Sequence, residues 1–259
     1  MKWDGLTEQK FVGLTNFVTL LQDDAFFTSI WNTIVMGLLH IPPMFILAFI
    51  FANILNSPKL KLRAFFRTAL FIPCITPMVV VAIVFGILFS TESGLINFVL
   101  VSFNGILPGS PIPRIEWLES EAWSKIAVSI LLIWRWTGYN MVLMLAGMQG
   151  IPDEYYEAAR IDGANKWQRA MQITIPMLRP TIVFCSIMSL IGTFYMFDEV
   201  FVLTKGGPGM SSTNFGVYLF NVAFSDFRFG YASSAAYFVA VFVFIVSLGI
   251  LKWRDATAD

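Results

Sequence analysis

The sequence predicts an all-α, polytopic membrane protein with five spanning helices, and three observations carry that prediction. Of its 259 residues 57% are hydrophobic and only 13% charged, far from the balance of a water-soluble domain. Five apolar segments are each long enough to cross a hydrocarbon core, which takes about 20 helical residues. Those segments are continuous runs rich in Phe, Ile, Val and Met, whereas a membrane β-barrel needs short alternating ones.

The segments run from Ile30 to Leu55, Ala69 to Phe89, Ala122 to Gln149, Thr181 to Thr204, and Tyr231 to Leu251. Prolines 42, 43, 73 and 77 are expected to bend the first two, because proline removes a helical hydrogen bond. Their orientation follows from Lys and Arg, which collect in cytoplasmic loops. Lys59, Lys61, Arg63 and Arg67 follow the first span, Arg160, Lys166, Arg169 and Arg179 follow the third, and Lys252 and Arg254 follow the fifth. The alternate loops hold Arg114 in one case and Lys205 with Arg228 in the other, and Glu92, Glu116, Glu119 and Glu121 make the first of these acidic.

This pattern predicts an external segment 1–29, a transmembrane domain 30–251 with a cytoplasmic loop at 150–180, and a cytoplasmic tail 252–259. Residues 1–29 have neither a signal peptide nor a span to carry them across, which predicts a further helix ahead of them. Unaided crossing by a short, weakly charged terminus is the other reading. Gly105 to Pro113, with three prolines, reads as a stiff external loop, and Lys205 to Gly209 as a turn.

Composition narrows the function. Lys and Arg together number 17, as do Asp and Glu, so net charge points to no nucleic acid. Cys74 and Cys185 lie in apolar runs and form neither a disulfide framework nor a metal spacing. One histidine and two separated cysteines leave no catalytic residues and no metal site to assign. His40, beside Pro42 and Pro43, reads as a polar contact near a kink.

The loop at 150–180 is the informative part. Pro152 with Asp153 and Glu154 opens a helix, since proline and acids suit the first turn. Gly163 closes it, because glycine adopts the left-handed conformation found just past helix ends. Asn165 and Gln168 have capping-box spacing and open a second helix running towards Pro176. Ala158 and Ala159 let a helix seat deeply in a groove, Tyr155, Tyr156 and Ile161 supply apolar anchors, and Glu157 is spaced to pair with Arg160. From these residues two readings stay open: a handle for a partner protein, or an amphipathic segment lying on lipid. The charge density and the break at Gly163 weigh against the second.

Glu157-Ala158-Ala159, Arg160, Asp162, Gly163, Ile173, Ile175 and Pro176 resemble the EAA loop of bacterial binding-protein-dependent ABC importer permeases, with Ile175 where the pattern usually has leucine. EAARIDGA resembles the sugar-type branch, which includes permeases for maltose, lactose, arabinose and glycerol-3-phosphate, and within it the MalF-like first subunit. The resemblance extends from WDG at Trp3 and FVGLTNF at Phe11 through FRT at Phe66, WRWTGYNM at Trp134, FD at Phe197 and TKGGPG at Thr204 to FGYASS at Phe229. Family members have six core spans, so this chain departs in lacking the first.

The resemblance implies a type I importer permease fold in a bacterial plasma membrane, with the amino terminus of this chain outside and its carboxyl terminus cytoplasmic. It implies a coupling helix docked on one of two cytoplasmic ATPase subunits, a second homologous permease, and an external solute-binding protein that delivers a sugar or related solute. ATP and Mg would sit on the ATPases and no cofactor on this chain, which carries no GxxxxGK[ST] sequence. An ion- or proton-coupled secondary transporter is the alternative, since buried charge and broken helices occur there too.

Ionisable groups at membrane depth face a bundle interior or a wet cavity. Arg135, Tyr139, Asn140, Tyr195, Asp198 and Glu199 are therefore the candidates for a translocation path, with packing between helices or against the partner permease as the other reading. If both spans are unbroken helices, Arg135 lies about 20 Å and Asp198 about 9 Å from the outer end, too far apart for an ion pair.

Overall fold

A computed structural model describes Trp3 and residues 10–57, 59–103 and 113–256; the loop expected from Gly105 to Pro113 falls almost wholly outside them. The fold is all-α. In chain order the helices are α1 (Thr15–Leu20), α2 (Asp24–Asn56), α3 (Arg63–Ile75), α4 (Met78–Leu88), α5 (Leu95–Ser102), α6 (Trp123–Gln149), α7 (Asp153–Ile161), α8 (Lys166–Arg169), α9 (Ile175–Met177), α10 (Arg179–Tyr195), α11 (Asp198–Leu203), α12 (Phe215–Phe220) and α13 (Phe229–Ala256). Wider π turns follow α8 at Ala170–Thr174 and α12 at Asn221–Ser225.

Three helices, α2, α6 and α13, are long and apolar enough to cross a membrane unbroken. They correspond to the expected first, third and fifth spans. The first begins at Asp24 rather than Ile30, because Asp23 accepts from the amides of Ala25 and Phe26 at 2.9 and 3.2 Å and caps the helix there. Pro42 and Pro43 lie inside α2 without ending it.

The other two expected spans are interrupted, the second where Pro73 and Pro77 were expected to bend it and the fourth where a continuous helix was expected. In the second, α3 stops at Ile75 and α4 starts at Met78; Thr76 is extended (ψ 137) and Pro77 has no N–H to continue the ladder. In the fourth, the helix stops at Tyr195 and resumes at Asp198. Asn214 holds the freed Met196 carbonyl with a 2.6 Å hydrogen bond, and Gly216 approaches that carbonyl so closely that a Cβ there would overlap it. The segment between the fourth and fifth spans also contains α12, which a reading by span length treats as connection.

The chain divides into two compact units. The first, residues 1–40, 77–132 and 191–245, is organised by single polar side chains that satisfy several backbone groups at once. Asn32 donates to the carbonyls of Met210 and Thr213, and Thr33 accepts from the amide of Phe215. These bonds fasten the segment after the turn predicted at Lys205 to Gly209, where Lys205, Gly206 and Gly209 all have positive φ, and the Ser212 and Thr213 hydroxyls donate back to the Gly207 and Gly206 carbonyls. Asn97 donates to Thr91 and Ile115 carbonyls and accepts from the Ile115 amide and the Trp117 indole, so its full bonding capacity is used. His40, buried, bonds the Met36 carbonyl at 2.7 Å and faces the Thr193 hydroxyl at 3.5 Å, the polar contact expected of it.

The second unit, residues 41–76, 133–190 and 246–259, has a dry core. Ala48, Ala52 and Leu55 of α2 meet Met141, Met144, Leu145 and Met148 of α6, closed by Ile151 and Leu178. Small residues set the spacing: a Cβ on Gly147 would press on Leu178 and Thr181.

Candidate functional site

The loop between α6 and α10 is built from its ends inward. Ile151 and Leu178 are buried in the core just described, and Tyr156 packs against it. The Tyr156 hydroxyl lies 3.0 Å from the Thr174 hydroxyl, tying α7 to the π turn. Helix α7 itself contains no buried residue.

Helix α7 starts at Asp153, with Pro152 as its N-cap and Asp153 and Glu154 in the first turn. It ends in a Schellman arrangement: Gly163 is at φ +78, the Ala164 amide donates to Ala159 at 2.8 Å and the Gly163 amide donates to Arg160 at 3.2 Å. Two amides therefore close the carbonyls that the helix end leaves open. Asn165 and Gln168 then form a reciprocal capping box at 2.8 and 2.9 Å. Both expected helix signals are in place.

The second helix departs from expectation. After the four residues of α8 the backbone widens into the π turn, in which the Ile175 amide reaches back to Ala170, and the chain resumes as α9. Pro176 supplies the reason, since its missing N–H and its ring prevent a regular α ladder against Gln172. Ile173 lies within the π turn, Pro176 is exposed just beyond it, and the segment Lys166–Met177 meets α10 at 68°.

The free surface mixes charge with large apolar groups. Ile161 is 87% exposed, Trp167 70% and Tyr155 53%. Helical geometry places Ile161 between Glu154 and Glu157, away from the face that Tyr155, Tyr156, Ala158 and Ala159 share and that packs on the core through Tyr156. An exposed anchor set among charges suits a protein groove, whereas a lipid-lying helix buries its apolar stripe in the bilayer. Glu157 and Arg160 are 3.7 Å apart and both exposed, a pair worth little to stability and open to a partner. Ala158 is exposed and Ala159 half-buried, and Asp162 is the exposed C-cap residue of α7.

Of the six path candidates, Arg135, Tyr139 and Asn140 belong to the second unit and Tyr195, Asp198 and Glu199 to the first. Arg135 donates through Nη1 to the backbone carbonyl of Thr76 at 2.8 Å and points the same group at that of Pro73 at 3.5 Å, so its partners are carbonyls rather than a carboxylate. Asn140 is buried and bonds the Trp136 carbonyl at 3.0 Å, and Tyr139 packs edge-on against Trp136. Tyr195 and Asp198 are exposed and flank the break in the fourth span, while Glu199 is buried. That break removes the basis of the depth estimate for Asp198: it and Glu199 occupy the first turn of α11, where carboxylates complement the helix dipole. Among the described residues no group of His, Cys, Asp or Glu is placed to hold a metal ion.

Sequence reasoning missed the side chains that bind the breaks. Asn214 and Gly216 precede an apolar run of about ten residues, too short to span, and a cap residue before such a run was the available signal.

The profile of the family described as binding-protein-dependent transport system inner membrane component matches residues 44–252. The lactose transport system permease protein LacF of Rhizobium radiobacter is 40% identical over 241 residues, covering 92% of this chain and 79% of that protein. The arabinooligosaccharides transport system permease protein AraP of Bacillus subtilis (strain 168) is 34% identical over 247 residues, covering 95% and 76%. A crystal structure of a bacterial ABC transporter involved in the import of the acidic polysaccharide alginate superposes with a TM-score of 0.83 at 25% identity, over 97% of this chain and 86% of that one. An exposed EAA loop, an all-α core with broken spans, and relatives matched along nearly the whole chain lead to one assignment: this chain belongs to the inner-membrane permease family of binding-protein-dependent ABC transport systems.

Proposed function

We propose that this chain is the membrane-spanning permease subunit of an ATP-driven importer and carries a sugar or related solute delivered by an external binding protein. In this reading α7 is the coupling helix. It docks on a cytoplasmic ATPase subunit, with Ile161, Trp167 and Tyr155 as apolar anchors and Glu157 and Arg160 fixing register. A second homologous permease completes the pathway, and residues 150–180 and the carboxyl terminus lie in the cytoplasm. The sugar assignment rests on the relatives named for lactose and arabinooligosaccharides.

The observation that carries the reading is a helix with no buried residue, held to the membrane core at Tyr156 and sharply terminated at Gly163. ATP hydrolysis in the partner moves this handle, and the handle moves the spans to which it is fastened. A secondary transporter has no use for such a surface.

Site-directed cross-linking tests the assignment. A cysteine at Ala158 is expected to cross-link to the ATPase subunit of the assembled complex, while a cysteine at Gly192 of the membrane helix α10 does not. Failure of the Ala158 variant to cross-link in a complex that hydrolyses ATP normally, or uptake that persists without ATP, removes the proposal.

A further inference from the structure

The C-terminal end of α3 leaves a backbone acceptor that its own helix cannot satisfy. The Pro73 carbonyl would take the amide four residues on, but residue 77 is proline, and Thr76 has already turned out of the helix with ψ 137. Within a bilayer water is not there to fill the vacancy. Arg135 of α6 stands at this point, with Nη1 2.8 Å from the Thr76 carbonyl and 3.5 Å from that of Pro73. Its guanidinium leans on the Trp136 ring at 5.4 Å.

Gly138, one turn further along α6, shares the face of Arg135. A Cβ there would overlap the Leu70 carbonyl, so the two backbones touch and the distance from α6 to the α3 terminus is fixed. Arg135 and Gly138 thus address consecutive parts of one helix end. Of its two other guanidinium nitrogens, Nε is buried and has no partner among the described residues, so that atom offers no surface to a passing solute.

We propose that Arg135 is a positioning residue for transport: it closes the C-terminal end of α3 with charge-assisted donors in place of the missing backbone amide, and so fixes where the second span breaks. A guanidinium suits the task because it is always charged, presents several donors in a plane and complements the negative end of the helix dipole. This role differs from lining the solute path, where its side chain would have to be free to meet a hydroxyl group.

Hydrogen–deuterium exchange on the assembled transporter, together with its ATP hydrolysis, tests the assignment. Pro73 and Pro77 have no amide, so the amides of Cys74, Ile75 and Thr76 report the last turn of α3. In R135M these three are expected to exchange about tenfold faster, the effect of losing a charge-assisted hydrogen bond, with α13 unchanged and ATP hydrolysis reduced. R135K keeps a cation that reaches a single carbonyl, and is expected to fall between wild type and R135M in both measurements. Wild-type exchange at 74–76 in R135M overturns the proposal, and does so whether or not ATP hydrolysis is lost; loss of activity with normal exchange would assign Arg135 to solute contact. If R135M does not accumulate in membranes, R135K alone decides: exchange at 74–76 indistinguishable from wild type overturns it equally.

Discussion

Replacing Gly163 isolates backbone geometry from contact chemistry at the coupling loop. The residue sits at φ +78, and a Cβ built there meets nothing within 4 Å. The cost of a side chain is therefore conformational, about 1–2 kcal/mol for an L-residue held in the left-handed region. If the chain refuses that conformation, the bonds from Ala164 to Ala159 and from Gly163 to Arg160 are lost together, and α7 no longer meets α8 at a fixed corner. About 1.4 kcal/mol changes the population of the closed corner tenfold. Asparagine tolerates the left-handed region, alanine does so less well, and β-branched valine least. Solute imported per ATP hydrolysed, measured in vesicles holding the complete transporter, is accordingly expected to fall in the order Gly, Asn, Ala, Val, with equal membrane abundance throughout. The reasoning fails if Gly163→Val transports with wild-type efficiency, or if Gly163→Asn is as damaging as Gly163→Val, since crowding rather than torsion would then set the cost.

Other perturbations separate attachment from contact. Tyr156→Phe removes one partly buried hydrogen bond and is expected to lower stability by about 1 kcal/mol, whereas Tyr156→Ala also loses ring packing and should cost about 3 kcal/mol; thermal unfolding in detergent compares the two. Glu157→Lys breaks only an exposed pair and should leave the melting temperature within error while abolishing coupled uptake. Gly138→Ala forces a methyl group into the Leu70 carbonyl and should destabilise the protein by at least about 1–3 kcal/mol in the same assay. Asp23 titrates in a defined direction: burial works to raise its pKa, but hydrogen bonds from Tyr231, Tyr218 and the Phe26 and Ala25 amides outweigh it and hold it below the ordinary value for an aspartate. Its contribution is therefore complete above the unfolded value and lost as pH falls through the lower folded one, so Asp23→Asn should lower stability at pH 7 and make it less sensitive to acid below about pH 4. An acid melting curve parallel to wild type would count against that account.

What was legible in the sequence follows from which signals are local. Gly163, the Asn165–Gln168 box and the Glu157–Arg160 spacing each act within one or two turns, and each appears as expected. Apolar length located three unbroken candidate spans and the apolar parts of two bent helix pairs, because crossing a bilayer imposes a minimum run whatever the rest of the chain does. The breaks were another matter. Pro77 marked one, but Met196–Phe197 has no proline or glycine, and its interruption is supported by Asn214 and Gly216, about twenty residues later. A break held open by a distant side chain leaves no trace in local periodicity.

The same contrast separates the proposed coupling surface from the proposed path. A docking helix is conspicuous because charge, small residues and exposed anchors are unusual between two apolar spans, and packing within the chain does not ask for them. A polar residue inside a span has two employments with the same chemistry: meeting a solute, or satisfying backbone that proline or a bend has released. Arg135 illustrates the second, since its donors end on the carbonyls at the α3 terminus. Asn140 is turned back on its own helix, donating its side-chain amide to the Trp136 carbonyl one turn earlier in α6. Tyr195 and Asp198 are exposed at a helix break, and their polar atoms are not taken up in that way. Backbone release and solute contact thus draw on one pool of side chains. A permease with two broken spans spends part of that pool on holding its own main chain, and charge at membrane depth identifies a path only after that demand has been subtracted.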